Sequence, residues 1–245
     1  MKRTAIFSIA ILMGVLSAYA FSFNRYPDIY IDDNQYYITS DTTVGIVGGH
    51  HYGEAGTYFI EGDFIVPEKI THEGKTYAVT TLLGLIGDFS KIYLPNTIKR
   101  IDDQITIVDY EQDWQKDSHY YSRPFVVPAS VDTLSCWSDK IETLFMMGPP
   151  PLLIDVYFGW RLQKVGVAPA YYEAYKANDQ WKDYPIVKLG DLNGDNEVNT
   201  SDISRLIDIL IATNSNYFQN NDINGDGVQN VSDITTIINL ILQNQ

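Results

Sequence analysis

Two stretches near the end of the chain place oxygen-bearing side chains at the spacing of a calcium-binding loop. They span residues 191–202 and 222–233, and each has Asp, Asn, Asp, Asn and Asp at loop positions 1, 3, 5, 9 and 12. Position 7 can contribute its backbone carbonyl. The candidate metal ligands are Asp191, Asn193, Asp195, Glu197, Asn199 and Asp202 in the first loop, and Asp222, Asn224, Asp226, Val228, Asn230 and Asp233 in the second. The spacing predicts two bound Ca²⁺ ions.

The same residue types also favour ordinary turns, because Asn, Asp and Gly stabilise turns through local contacts. A single copy would leave both interpretations open. Two copies in register, each followed by the same apolar pattern, favour a metal site.

An apolar pattern of helical period follows each loop and predicts one amphipathic helix per loop. The apolar positions are Ile203, Leu206, Ile207, Leu210 and Ile211 in the first copy, and Ile234, Ile237, Ile238, Ile241 and Leu242 in the second. Before the first loop, residues 184–190 contain Pro185 and Gly190 and leave no room for an entering helix. We therefore expect a loop followed by a helix, twice.

Residues 190–242 resemble a type I dockerin, a calcium-binding module that docks onto cohesin domains in polysaccharide-degrading assemblies. The resemblance assigns the metal ligands to the same loop positions and implies a cohesin-like protein partner. It places partner recognition at Thr200, Ser201, Val231 and Ser232. Where the family has basic residues farther along each helix, this chain has Ile207, Asp208 and Ala212, and then Ile238, Asn239 and Gln243.

The first residues are typical of a secretory signal peptide. Met1, Lys2 and Arg3 form a positive start, residues 5–16 are mostly apolar, and Ala18-Tyr19-Ala20 is a small-x-small cleavage site. We expect residues 1–20 to be removed and the mature protein to be secreted or held at the cell surface. No later stretch is long and apolar enough to predict a transmembrane helix.

The charge of the chain disfavours nucleic-acid binding, and its cysteine content excludes stabilisation by an internal disulfide. The formal net charge of -14 disfavours nucleic acid as a partner, because phosphate binding needs clustered Lys and Arg. Cys136 is the one cysteine, so the chain has no internal disulfide, and a buried thiol is the expected role. Calcium and a hydrophobic core must then stabilise an exported chain.

Residues 21–66 predict β structure. Residues 29–31 and 36–39 form a turn-linked pair of strand-like runs, and residues 57–60 and 64–66 continue in that style. Apolar strands then run towards Pro several times, at Pro67, Pro95, Pro128, Pro149 and Pro169. Such a recurring unit is typical of stacked repeats.

Residues 26–187 resemble the BspA-like leucine-rich repeat family of bacterial surface and secreted proteins. The segment 64–80 is similar to that family's entry segment, and residues 167–181 are similar to its terminal cap, in which a short helix is expected. Residues 102–124, rich in Asp, Gln and Tyr, interrupt the repeat, and we expect a solvated loop there.

Other residues could do chemistry but form no clear constellation. His50, His51 and Glu54 lack the spacing of a zinc site, and His72 and His119 stand alone. Asp102 and Asp103 are adjacent carboxylates with nothing to place a substrate between them. The indoles of Trp114, Trp137, Trp160 and Trp181 could stack on sugar rings, although aromatic residues more often lie in the core.

The sequence thus predicts an α+β multidomain protein: a signal peptide (1–20), a β-rich leucine-rich-repeat solenoid (21–187) and a small all-α dockerin-like module (188–245). We expect a non-catalytic protein that docks through the module and binds a protein or glycan ligand through the repeat region. Two alternatives remain open. The chain could be an enzyme of a polysaccharide-degrading system, or the calcium module could serve only as a structural cap.

Overall fold

A computed structural model describes residues 26–32, 34–48, 60–107, 124–138, 141–212, 221–225 and 229–243. The strands are β1 (Ile29–Ile31), β2 (Asn34–Ile38), β3 (Thr43–Gly48), β4 (Ile60–Ile65), β5 (Lys69–His72), β6 (Lys75–Tyr93), β7 (Arg100–Ile107), β8 (Phe125–Val127), β9 (Thr133–Trp137), β10 (Thr143–Met146), β11 (Leu152–Leu153), β12 (Lys164–Val167) and β13 (Ile186–Lys188). The helices are a 3₁₀ turn (Pro169–Tyr171), α1 (Tyr172–Ala177), α2 (Thr200–Ala212) and α3 (Val231–Gln243).

The strands form two sheets that face each other across the main core. The larger sheet has the order β1-β2-β3-β6-β7-β9-β11, with β4 and β5 also paired to β6. The smaller sheet has the order β13-β12-β10-β8 and is parallel throughout. From β7 to β12, successive strands alternate between the two sheets.

Side-chain alternation decides which residues enter the core. In β9, Leu134 and Cys136 are buried, whereas Thr133, Ser135 and Trp137 point to the other face. Strands of the smaller sheet bury Phe125, Leu144 and Val165 in the same cluster. The two-residue period therefore gives each sheet one face in the core and one outer face.

The strand β6 is the longest element and organises the larger sheet. It receives β3, β4 and β7 in parallel pairing and β5 in antiparallel pairing. The β5–β6 hairpin turns at Glu73 and Gly74, both with positive φ (50° and 79°), as a tight two-residue hairpin turn requires.

An aromatic cluster closes the core beyond β12, where the sequence predicts a short helix. That helix is α1, and its Tyr175 packs on Trp181 with ring centroids 5.1 Å apart. The indole N–H of Trp181 donates to the carbonyl of Pro151 at 2.9 Å, so its polar atom is satisfied while the ring is buried. The core role of Trp181 is thereby confirmed.

The predicted fold class, a leucine-rich-repeat solenoid followed by an all-α module, is wrong. The larger sheet mixes antiparallel and parallel pairs around β6, and no helix accompanies the strands between Arg100 and Val167 among the described residues. The C-terminal helices do not form a separate all-α unit either, because their apolar core includes Phe145 and Ala168 of the β region. Several predicted strands are present, as β1, β8, β10 and β12, but residues 102–107, predicted to begin a solvated loop, belong to β7. The pairing of strands depends on contacts far apart in sequence, which local patterns do not specify.

Several predictions fall on residues outside those described. These are the signal peptide (1–20), the candidate zinc residues His50, His51 and Glu54, and Trp114, His119 and most of the predicted insertion. Within the described residues, no helix combines the length and the apolar character needed to cross a membrane.

Cys136 gives a direct test of the main core. Burial raises the pKa of its thiol to about 12, with the Asp102 carboxylate acting in the same direction. At about pH 8 the thiol should therefore stay protonated and resist a disulfide reagent such as Ellman's, because the thiolate is the reactive form. Denaturation in guanidinium should release one reactive thiol. Rapid labelling of the native protein would contradict this core packing.

Candidate metal-binding loops

The first predicted loop folds back on its own backbone through the side chain of Asp191. One carboxylate oxygen accepts from the N–H of Gly194 at 2.8 Å, and the other accepts from the N–H of Asn196 at 3.0 Å. Asn193 and Asp195 make the same kind of local turn, accepting from Asp195 N–H at 2.9 Å and Glu197 N–H at 2.8 Å. These contacts wrap residues 191–197 into a compact loop.

Asp202 joins the two ends of this loop from the first turn of α2. Its side chain is fully buried, and one oxygen accepts from the N–H groups of Leu192 (2.8 Å) and Asn193 (3.3 Å). The other oxygen accepts from the N–H of Asn199 at 2.9 Å, while the Asn199 side chain accepts from Ser201 N–H at 2.8 Å. This reciprocal pattern is a helix capping box.

The second loop repeats the contacts of Asp202 and Asn199 at Asp233 and Asn230. The fully buried Asp233 accepts from Ile223 N–H at 2.7 Å, Asn224 N–H at 3.2 Å and Asn230 N–H at 2.8 Å. Asn230 in turn accepts from Ser232 N–H at 2.7 Å. The predicted ligands Asp226 and Val228 lie outside the described residues. The repeat in sequence is therefore a repeat in structure.

The donor chemistry of the loops fits a hard cation such as Ca²⁺. Every predicted ligand offers an oxygen, from a carboxylate, a side-chain amide or a backbone carbonyl, and no sulfur or imidazole is present. A carboxylate accepts at about four lone-pair sites, so Asp191, Asp195 and Asp202 retain acceptor capacity beyond their backbone contacts. Among the described residues, no three His, Cys, Asp or Glu side chains converge closely enough to be recognised as a metal cluster.

Two lysines of the β region lie beside the first loop. Lys188, at the end of β13, donates from Nζ to the carbonyl of Asn196 at 2.5 Å. Burial lowers the pKa of Lys164 in β12, and the nearby Asp191 carboxylate opposes that shift. Their positive charge partly offsets the carboxylates of the loop.

The loops and helices pack on the outer face of the smaller sheet. Phe145 points away from the main core and contacts a second apolar cluster, whose other members are Ala168, Leu189, Leu206, Ile223, Ile237 and Leu240. The second loop approaches β8 so closely at Gly225 that an added Cβ would lie 2.2 Å from Cγ2 of Val126. The contact explains why glycine is needed there, and φ of +71° adds to that requirement.

Only part of each predicted apolar helix face is buried. Leu206, Ile237 and Leu240 are in the cluster, whereas Ile207 and Ile238 are 40% and 41% exposed. Farther along the helices, Ile211 and Leu242 are exposed as well, as is Val231 at the start of α3. The predicted partner residues Thr200 and Ser201 are exposed, and Ser232 is half-buried.

The exposed apolar residues form matching stripes on the two helices. Thr200, Ile207 and Ile211 share one face of α2, and Val231, Ile238 and Leu242 occupy the corresponding positions of α3. Periodicity predicted which residues are apolar on each helix, but not how much of that face the neighbouring sheet covers.

Among the residues that the structure describes, the other sequence candidates do not gather into a site. Asp102 is paired with Arg100, whose Nε lies 2.6 Å from both carboxylate oxygens. The Nε2 atom of His72 lies 3.9 Å from Oε1 of Glu73. Trp137 and Trp160 are exposed, whereas the favoured prediction placed these indoles in the core. In β9, apolar residues alternate at Leu134 and Cys136, and this alternation places Trp137 on the outer face. The alternation was the sequence signal that could have predicted the exposure of Trp137.

Comparison with known proteins identifies the C-terminal region only. No curated protein and no solved structure matches the chain. Type I dockerins bind calcium and dock onto protein partners of the cohesin type. The family model described as the dockerin type I domain matches residues 189–242, which supports a dockerin type I domain in the part of the chain that holds both loops.

Proposed function

We propose that this protein is exported and docks onto a cohesin-type protein through its C-terminal module, in a manner that depends on two bound Ca²⁺ ions. The observation that carries the proposal is the duplicated loop whose ends are joined by a buried carboxylate, Asp202 or Asp233. The match of residues 189–242 to the dockerin type I domain supports the same conclusion.

Calcium would be held by the predicted ligands of each loop. In the first loop these are Asp191, Asn193, Asp195, Asn199 and Asp202, with the carbonyl of Glu197; in the second they are Asp222, Asn224, Asp226, Asn230 and Asp233, with the carbonyl of Val228. The ion, when bound, supplies positive charge that offsets repulsion among the carboxylates. The chain's own part is to fix the start of each helix against the start of its loop through the capping box.

The surface that would meet the partner is the pair of exposed stripes, together with Thr200, Ser201, Val231 and Ser232. Ile207 and Ile238 stand where the family has basic residues, so a matching partner should present an apolar patch rather than an acidic one. Apolar stripes exposed on adjacent helices are typical of interaction surfaces.

A structural role for the module is the second candidate, and one observation favours it. The cluster around Phe145 and Leu189 forms a continuous apolar seam between the β region and the two helices. The exposure of Ile207 and Ile238 counts against a purely structural cap, because a cap has no need of an uncovered apolar stripe.

For the β region we propose a non-catalytic binding role, with the boundary near residue 188. The carboxylate of Asp102, one member of the candidate acid pair, is engaged by Arg100. Export rests on the signal-like residues 1–20 and on the typical extracellular or cell-surface location of dockerin proteins.

Calcium binding by the first loop should depend on the charge of Asp202. The change Asp202→Asn turns an acceptor of the Asn199 N–H into a donor and removes a ligand charge, so stability should fall by about 1–3 kcal/mol. Calorimetric titration of the full chain should show two ions bound to the wild type and one to the variant.

The matched control is Asp208→Asn, which removes the same charge from an exposed position of α2 outside the loop. It should leave two ions bound. Equal calcium binding by wild type and Asp202→Asn, or an equal loss in Asp208→Asn, would contradict the assigned ligand set.

Docking should depend on the exposed stripes. The double variant Ile207→Ser and Ile238→Ser should weaken binding to an immobilised cohesin with an apolar binding face by about tenfold or more in the presence of Ca²⁺, since hot-spot contacts typically exceed about 1 kcal/mol. Surface plasmon resonance measures this. The control Ile65→Ser changes an exposed isoleucine in β4 of the larger sheet and should bind as wild type does.

Absence of any wild-type binding to cohesin, with calcium bound, would favour the structural cap instead. Unchanged affinity of the double variant would place the partner on another surface.

A further inference from the structure

An aromatic pair lies on the outer face of the larger sheet, far along the chain from the calcium loops. Trp137 at the end of β9 is 61% exposed and Tyr157, bridged to it, is 50% exposed. Their ring centroids lie 5.7 Å apart with planes tilted by 48°, so two largely exposed aromatic rings are in contact at one place on the surface. We call this pair the aromatic platform.

The backbone holds the platform in a fixed orientation. The indole N–H of Trp137 donates to the carbonyl of Asp155 at 2.8 Å. The N–H of Tyr157 donates to the carbonyl of Cys136 at 3.0 Å, and the N–H of Ser138 donates to the carbonyl of Tyr157 at 2.7 Å. Cys136 is buried beneath the platform, which therefore rests on the main core, and the Trp137 indole is held in place by its own hydrogen bond before any ligand arrives.

A row of polar side chains adjoins the platform on the same face of the sheet. Ser135 lies two residues before Trp137, about 6.6 Å along the strand, and pairs directly with Asp102 of β7. The Asp102 carboxylate accepts a hydrogen bond from Nε of Arg100, and Arg100 lies opposite Thr133 in the pairing of β7 with β9. The Ser135 hydroxyl and the Asp102 carboxylate thus lie one residue pair from Trp137 on the same face, and the Arg100 guanidinium is held beside them by its hydrogen bond to Asp102.

We propose that this face of the larger sheet is a glycan-binding site, with Trp137 and Tyr157 stacking on pyranose rings of a neutral polysaccharide and Ser135, Asp102 and Arg100 bonding its hydroxyls. A pyranose ring has C–H groups on its faces and hydroxyls around its edge, so it matches aromatic rings flanked by donors and acceptors.

Charge selects a neutral sugar polymer over an anionic one. Arg100 is already neutralised by Asp102, and the neighbouring Thr133 hydroxyl donates to the carboxylate of Asp132 at 2.9 Å. The chain as a whole carries a formal charge of -14. An acidic polysaccharide would meet repulsion without a compensating cation.

A protein partner fits this face less well. A protein that covered this face would bury the Arg100–Asp102 pair and the hydroxyls of Ser135 and Thr133, and their desolvation would cost free energy. The hydroxyls of a sugar would instead form hydrogen bonds in place of the displaced water. Addition of a partner strand at the nearby edge is also blocked. The side chain of Gln180 there occupies both backbone groups of Leu153, accepting from its N–H at 3.1 Å and donating to its carbonyl at 2.9 Å.

The test is affinity electrophoresis of the full chain in gels that contain soluble β-glucan, xylan or galactomannan, with polygalacturonate as the anionic comparison. At least one neutral polysaccharide should retard the wild type. Trp137→Ala and Tyr157→Ala should each weaken that retardation by about tenfold or more. Retardation should persist with a calcium chelator, which separates this site from the docking module.

Two variants control for the loss of an exposed ring. Tyr93→Ala removes a tyrosine of the same 50% exposure at the end of β6. Trp160→Ala removes a more exposed indole, one side of which is stacked against the Arg161 guanidinium at 4.2 Å. Both controls should be retarded as the wild type is, and thermal unfolding should confirm that all four variants are folded.

Several results would overturn the proposal. These are no retardation of the wild type by any neutral polysaccharide, stronger retardation by polygalacturonate, equal losses in the control variants, or loss of retardation on chelation alone. Retained glycan binding by Trp137→Ala, together with weakened cohesin binding, would make the platform a protein contact instead.

Discussion

A buried carboxylate in the first turn of each C-terminal helix holds that end of the molecule together. Asp202 and Asp233 each accept from three backbone N–H groups, two at the start of the loop and one at the helix cap. A buried charge is tolerated only when it is bonded in this way, because an unpaired carboxylate would cost several kcal/mol (~3–5). The position of each helix therefore depends on the closure of its loop, and both loops consist of residues suited to calcium.

The second constraint is the outer face of the smaller sheet. Phe145 and Val126 alternate with core residues along their strands, so they point outwards and need a cover. Leu206, Ile237 and Leu240 provide it, and the two candidate metal-binding loops are thereby joined to the β region through apolar packing. The residues of α2 and α3 that the sheet does not cover form the two exposed stripes. These stripes are the basis of the docking proposal.

Features set by neighbouring residues could be predicted from the sequence. The loops and their helices follow from local spacing, and strands that run towards Pro67, Pro95 and Pro128 are present as β4, β6 and β8. The fold class could not be obtained in the same way. Recurring strands resembled one solenoid, but β6 pairs with four other strands, and nothing local specifies those partners. The exposure of Trp137 and Ile207 likewise depends on which surfaces their neighbours leave uncovered.

The most direct test of the central claim is hydrogen exchange of the full chain, followed by mass spectrometry, with Ca²⁺ and with a chelator. If loop closure holds the helices in place, amides of α2 and α3 should exchange much faster after chelation. Amides of β12, such as that of Val165, which donates to Pro185, should keep their protection. Equal protection of α2 and α3 in both conditions would show that the helices do not depend on calcium and would contradict the account.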